Sequence, residues 1–198
     1  MNIANRIRLG LIVLLCLFYA WLFWLMLNPV VSDEYSSYYI KRETFDWRPK
    51  RYPATLEEGF VFSRLGIPEF VASTAGLSMV EEWGRWSDAK LSPIVRIELR
   101  EPLHGQICLV ITARTIPKQI GKPVWLRMGQ ITQVWQLTTE SVNTYQFDFL
   151  LPEQVSTIEI GPMLSGTPSD WNSDSKDLRK LGIGFYRLVI LQEHCAKK

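Results

Sequence analysis

Apolar residues are unevenly spread along this chain: they run together near the start and alternate with polar ones later. From Leu9 to Leu27 the run LGLIVLLCLFYAWLFWLML contains no charge. As a helix rising ~1.5 Å per residue it reaches roughly 28 Å, close to the ~30 Å hydrocarbon core of a bilayer. A helix satisfies its backbone polar groups internally, as lipid demands, so residues 9–27 are expected to form one transmembrane helix. Tyr19, Trp21 and Trp24 lie in its second half, where amphipathic rings can approach the interface. A cleaved signal peptide is the competing reading. Its apolar core runs about 7–15 residues and ends at small residues, whereas this run stays bulky and continues into Asn28-Pro29-Val30-Val31-Ser32. Cleavage after Ser32 is a poor fit, and Leu14-Leu15 before Cys16 stand where a lipoprotein signal wants small residues.

Residues 28–58 read as a juxtamembrane stalk. Pro29, Pro49 and Pro53 break any long helix, while Tyr35, Tyr38, Tyr39, Phe45, Trp47 and Tyr52 argue against a disordered tether. From Gly59 on, the period becomes two. Val95, Ile97 and Leu99 alternate with Arg96 and Glu98. Gln106 to Thr112 is apolar on both faces, as in a central strand. Val124–Met128 and Ile131–Leu137 flank a Gly129-Gln130 turn and read as a hairpin. Tyr145, Phe147 and Phe149 alternate with Gln146 and Asp148, and Thr157–Ile160 and Gly182–Leu191 complete the set. Pro102, Gly105, Pro117, Gly121, Pro152, Gly161 and Pro168 punctuate them. The expected architecture is mainly β: an antiparallel β-sandwich or jelly roll over 59–198, preceded by one N-terminal transmembrane helix.

Charge sets the expected orientation. Arg6, Arg8 and the amino terminus precede the apolar run, and Asp33 and Glu34 follow it before Lys41 and Arg42 do. The positive-inside rule then keeps residues 1–8 in the cytoplasm and exports the rest, to the periplasm of a Gram-negative cell. Of 22 basic residues only those two precede residue 28, so the exported part is balanced against its 20 acidic residues. No basic patch of the kind that tracks phosphates is evident, so nucleic acid is not an expected partner. Cys108 and Cys195 could pair in an oxidising compartment, or Cys108 could be a buried free thiol. Without a CxxC pattern they make no zinc site, and no cofactor is expected.

The densest chemistry is Glu81-Glu82-Trp83-Gly84-Arg85-Trp86-Ser87-Asp88. Trp83 and Trp86 offer flat faces on which the C–H faces of sugars stack, and Arg85 and Asp88 offer planar hydrogen-bond partners. The same residues also fit a core-and-turn role. A polar loop, Ser169-Asp170-Trp171-Asn172-Ser173-Asp174, carries Trp171, a candidate for the rim. It lacks the central glycine and closing glutamate of an EF-hand calcium loop. Arg127 and Gln133, near Trp125 and Trp135, could line a concave face. His104 and His194 have no evident partners, and no G-x-S-x-G, H-E-x-x-H or P-loop occurs, so an enzyme is not expected.

The residues Gly66-Ile67-Pro68-Glu69-Phe70-Val71, Gly76-Leu77-Ser78, Glu82 through Asp88, Pro102-Leu103, Gly121-Lys122-Pro123 and Asp177-Leu178-Arg179-Lys180-Leu181-Gly182-Ile183 carry a family likeness. Over roughly residues 59–192 the chain resembles the C-terminal accessory domain of bacterial phosphoglycerol transferases acting on osmoregulated periplasmic glucans. The Glu82–Asp88 run is its specific part. In that family the chemistry belongs to a separate metal-dependent domain that nothing here matches, so the resemblance implies a carbohydrate-binding-like sandwich without transferase activity. It makes Trp83, Arg85, Trp86 and Asp88 the first candidates for a shared site.

The expectation is therefore a non-catalytic accessory protein anchored in the bacterial inner membrane, its partners the bilayer and an envelope glycan or glycolipid. The rival expectation is an interaction subunit docking on a larger membrane protein through the stalk and a helix face bearing Cys16, Tyr19, Trp21 and Trp24.

Overall fold

The computed structural model describes residues 2–28, 31–42, 51–161 and 164–195. Pro29, Phe45, Trp47, Pro49 and the Lys197-Lys198 end lie outside the described residues. The chain divides into two compact units, Met1–Ser36 and Ser37–Lys198.

In the first unit, α1 (Ile3–Leu27) is a continuous helix. Its stretch Ile7–Leu27 has a mean hydropathy of 2.4 and buries none of its side chains within the protein. Long enough and apolar enough to cross a membrane, it begins two residues earlier than the uncharged run because Arg8 sits on the helix. Trp21 and Trp24, three apart, share one side of it, and Cys16 and Tyr19 share another. Tyr19, Trp21 and Trp24 are all more than half exposed. The short turn α2 (Asp33–Tyr35) follows, capped by Ser32, whose hydroxyl accepts the Tyr35 N–H.

Among the described residues the second unit holds ten strands: β1 (Arg51–Tyr52), β2 (Phe60–Val61), β3 (Ile67–Pro68), β4 (Val71–Ala75), β5 (Arg85–Asp88), β6 (Val95–Thr115), β7 (Pro123–Met128), β8 (Ile131–Gln136), β9 (Asn143–Gly161) and β10 (Leu181–Leu191). β1 and β3 make a small parallel pair; every other pairing is antiparallel. β6 and β9 are long because each serves both leaves of the sandwich. The first half of β6 pairs with β4 and with the end of β9, whose other edge carries β7 and then β8. The second half of β6 pairs with β10 and the start of β9, and β2 and β5 pair in turn with β10.

The β6–β9 register slips between Glu98 and Gly105, where the ladder turns from one leaf to the other. Such corners, made by strands that switch sheets through bulges, are a standard way to close a sandwich. Gly105, at φ 75°, takes the left-handed backbone the corner needs. Pro102, Gly105 and Pro152, expected to separate strands, instead lie inside β6 and β9. Proline removes one ladder donor, which a corner tolerates and a flat central strand does not.

The alternation read from sequence is realised in the burial. Val95, Ile97 and Leu99 are buried with Ile107, Leu109, Ile111, Phe147 and Phe149 in one core, whereas Arg96 faces solvent. The leaves meet where Trp135 of β8 packs edge-on against Tyr145 and Phe147 of β9, ring centroids 5.1 and 5.7 Å apart. Some residues between 28 and 58 join the second unit: Arg51 donates to the carbonyls of Val71 and Ala72, and the Tyr38 hydroxyl donates to Asp88.

Cys108 and Cys195 form a disulfide across a sequence separation of 87, settling the alternatives left open by spacing. Cys108 points to the outer face of β6, and the Cys195 N–H donates to Asp148 on neighbouring β9 at 2.7 Å. Cys108, Asp148 and Cys195 are close enough to hold an ion, but paired sulfurs offer no thiolate. A cross-link over so long a loop constrains the unfolded chain strongly. Replacing both cysteines by alanine is expected to lower stability by about 2–5 kcal/mol. Denaturant unfolding of the full chain in detergent checks this, with the unreduced and reduced wild type as reference; identical midpoints would contradict it.

Candidate functional site

The Glu81–Asp88 segment is built around a tight turn. Glu81 and Gly84 exchange two backbone hydrogen bonds, which puts Trp83 at the tip and starts β5 at Arg85. Successive strand residues point to opposite faces, and this parity separates the expected site residues. Trp86 faces outward, in register with Gly184 of β10, which is itself in register with Arg114 of β6. A side chain on Gly184 would come within 2.7 Å of the Trp83 ring and 3.1 Å of the Trp86 ring. The glycine thus lets aromatic rings close over the strand.

What assembles there is an aromatic platform. Trp83 lies 5.2 Å from Trp86 and 4.8 Å from Tyr186 between ring centroids. The Arg114 guanidinium sits 4.0 Å from the centre of the Trp83 ring, 4.9 Å from Trp86 and 5.8 Å from Tyr186. A cation held against three ring faces is attracted by their quadrupoles. No carboxylate pairs with Arg114 among the described residues. Its Nε is buried without a hydrogen-bond partner.

The edge of the platform is braced. The Trp83 indole N–H donates to Glu81 Oε2 at 2.8 Å, and Glu81 Oε1 accepts from Arg179 at 2.8 Å. Arg179 also grips Asp177. Burial would push the Asp177 carboxyl up, but hydrogen bonds from Arg179 outweigh it and hold the group below the usual carboxylate range. Burial likewise works against the Arg179 charge, yet its bonds to Asp177 and Glu81 make the guanidinium harder to deprotonate.

Arg85 and Asp88 do not share this surface. Arg85, 4% exposed, points inward and donates to the carbonyls of Phe62, Arg64 and Gly66. Asp88 is fully buried and accepts from the Tyr38 hydroxyl and from the Lys90 and Lys180 amides. Burial, then the bond to Asp88, raises the Tyr38 pKa. Both residues therefore hold loops in place, a correction to their expected role as ligand contacts. Trp171 is 43% exposed on the turn after Pro168–Asp170, packed by Gly166; no ring contact joins it to Trp83 or Trp86 among the described residues. Arg114 and Tyr186 were not singled out from sequence. The glycine between hydrophobic β10 residues was the available signal.

Comparison with known proteins bears on this unit. The family described as "Domain of unknown function (DUF7024)" matches residues 46–192. The chain is 36% identical to Phosphoglycerol transferase I of Escherichia fergusonii over 142 residues, 72% of this chain and 18% of that protein. It is 35% identical to Phosphoglycerol transferase I of Salmonella arizonae over 141 residues, 71% of this chain and 18% of the relative. The chain thus spans under a fifth of the length of the curated relatives it matches, and the likeness expected from the Glu82–Asp88 run is real. With the N-terminal apolar helix, this homology fits a membrane-anchored accessory protein.

Arg85 and Arg114 should respond differently to truncation. Arg85→Ala strips three carbonyls, two of them in buried bonds, of their donor and is expected to destabilise the domain by roughly 2–4 kcal/mol. Arg114→Ala loses cation–π contacts on the outer face, about 0.5–2 kcal/mol. Equilibrium unfolding in detergent reads both, and equal losses would contradict the inward placement of Arg85.

Proposed function

The chain belongs to the DUF7024 family, and from that premise we propose a non-catalytic accessory protein of the bacterial inner membrane whose β-sandwich binds an envelope glycan or glycolipid. Residues 1–8 face the cytoplasm, 9–27 span the bilayer, 28–58 connect, and 59–198 form the periplasmic domain. The charge asymmetry around the helix supports this orientation. So does the Cys108–Cys195 bond, because disulfides persist in oxidising compartments and are rare in the cytosol.

The observation that carries the binding reading is the Trp83–Trp86–Tyr186 platform with Arg114 at its centre. Sugar C–H faces stack on such rings. A guanidinium without a carboxylate partner can bond hydroxyls or an anionic substituent through its terminal N–H groups. Arg114 takes the part expected of Arg85, while Arg85 and Asp88 keep the platform in place. The relatives are named for phosphoglycerol transfer, which makes a glycan bearing phosphoglycerol a natural ligand to try first. No step of that transfer is assigned to this chain.

Intrinsic tryptophan fluorescence of the full chain in detergent provides the test. Titration with periplasmic glucans, unsubstituted and phosphoglycerol-substituted, and with lipopolysaccharide fragments should give a saturable shift for at least one. Arg114→Ala should weaken that binding about tenfold or more. A flat titration with every ligand would reject the reading.

A further inference from the structure

The outer face of β6 carries a second group of side chains, farther along the strand from Arg114. Cys108 lies opposite Asp148 of β9 on one side and Leu191 of β10 on the other. Beyond Leu191 the chain returns to this face, where Cys195 closes the disulfide with Cys108. The Cys195 N–H donates to Asp148 Oδ1 at 2.7 Å, and Gln106 donates to the same oxygen at 3.4 Å. His194 Nδ1 lies 3.9 Å from that oxygen. Among the described residues Asp148 Oδ2 accepts no hydrogen bond. The two sulfurs and an Asp148 carboxylate oxygen all lie within 4.8 Å of one another.

We propose that this cluster, once its disulfide is reduced, binds a zinc ion through the Cys108 and Cys195 thiolates and the Asp148 carboxylate, with His194 as the fourth ligand. The reductant is a dithiol. Its thiolate attacks Cys195 Sγ, the accessible sulfur, because Cys108 is fully buried and Cys195 is not. Cys108 then leaves as a thiolate. The second thiol of the reductant attacks the mixed disulfide, closes the reductant's own disulfide and frees Cys195. Two electrons have passed to the protein. Zinc takes both sulfurs as thiolates, and the protons they carry go to water.

The donor set selects the ion. Thiolate sulfur and imidazole nitrogen suit zinc, whereas calcium and magnesium take oxygen ligands. The geometry permits the exchange. A disulfide holds its sulfurs about 2 Å apart; tetrahedral zinc, ~2.3 Å from each thiolate, sets them roughly 3.8 Å apart. Cys108 and Asp148 are fixed by the β6–β9 ladder, so the difference falls on Cys195. That residue lies past the end of β10, and among the described residues its backbone is held by the bond to Asp148. His194 sits on the same segment with its side chain 80% exposed, able to turn its imidazole to the ion. The lack of a CxxC pattern is no obstacle, because strand order and not spacing joins ligands 87 residues apart. The chain end is clasped in either state, by the covalent bond or by the ion. The inference does not depend on the Arg114 platform.

The full chain in detergent, carrying Cys16→Ser so that Cys108 and Cys195 are the only cysteines, tests it. After reduction with dithiothreitol and its removal under argon, cobalt(II) should give a thiolate charge-transfer band that stoichiometric zinc abolishes. The oxidised chain should show no such band. Zinc should raise the melting temperature of the reduced chain and leave that of the oxidised chain unchanged. Cys195→Ser should abolish the band. Asp148→Asn, which keeps both cysteines, should weaken zinc binding about tenfold or more. Calcium in excess should not displace cobalt. Circular dichroism checks the β content of each reduced chain, and if Cys195→Ser unfolds, the Asp148→Asn comparison decides. The site is overturned if the reduced chain binds no zinc, if the oxidised chain binds it equally, or if Asp148→Asn binds it as tightly as wild type. Binding only by a reduced chain that has lost its β content would overturn it too.

Discussion

One antiparallel ladder, β6 against β9, carries the whole domain. It runs from the Val95–Ile160 pair to the Ala113–Asn143 pair, and β4, β7 and β10 each pair directly with one of its two halves. Because both strands pass from leaf to leaf, the corner between Glu98 and Gly105 sets how the leaves face each other. Everything placed on the outside depends on it. The disulfide fastens the chain end to the same ladder: Cys108 lies within β6, directly opposite Asp148 of β9, whose carboxylate holds the Cys195 amide.

A ladder of period two forces neighbours apart. Arg85 and Trp86 adjoin in sequence, yet one reaches into the interior to bind three carbonyls and the other packs with Trp83 and Arg114 on the outer face. The same rule brings distant residues together. Trp86, Gly184 and Arg114 form one row across β5, β10 and β6; Arg96, Glu159 and Arg127 form another across β6, β9 and β7. In the first row the middle residue has no side chain, so cation and ring meet above the strand. In the second the middle residue is a carboxylate, so two cations are tied together through it. A single difference at the central strand position gives one open guanidinium and one closed charge network.

The legible parts were those written in local pattern. The membrane-length helix, the Val95–Leu99 alternation, the hairpin around Gly129-Gln130 and the Tyr145–Phe149 strand all rest on residues a few positions apart. The corners were misread because Pro102 and Pro152 end strands in most settings; only the partner strand reveals that their missing donors fall where the ladder is already broken. Trp83 and Trp86 stood out as an aromatic pair, but Arg114 lies far from them in the chain and Tyr186 farther still. No local signal joins these residues. The Cys108–Cys195 pairing was undecidable for the same reason, since proximity in a sandwich is a property of strand order.

Charge distribution gives the two outer faces their different characters. The chain's net +2 matches the two arginines before residue 28, so the domain itself is balanced and selectivity has to come from local arrangement. Over β10 a guanidinium is held by rings, which stabilise its charge without neutralising it. Over β9 two guanidinium groups share a buried carboxylate and sit among further acids.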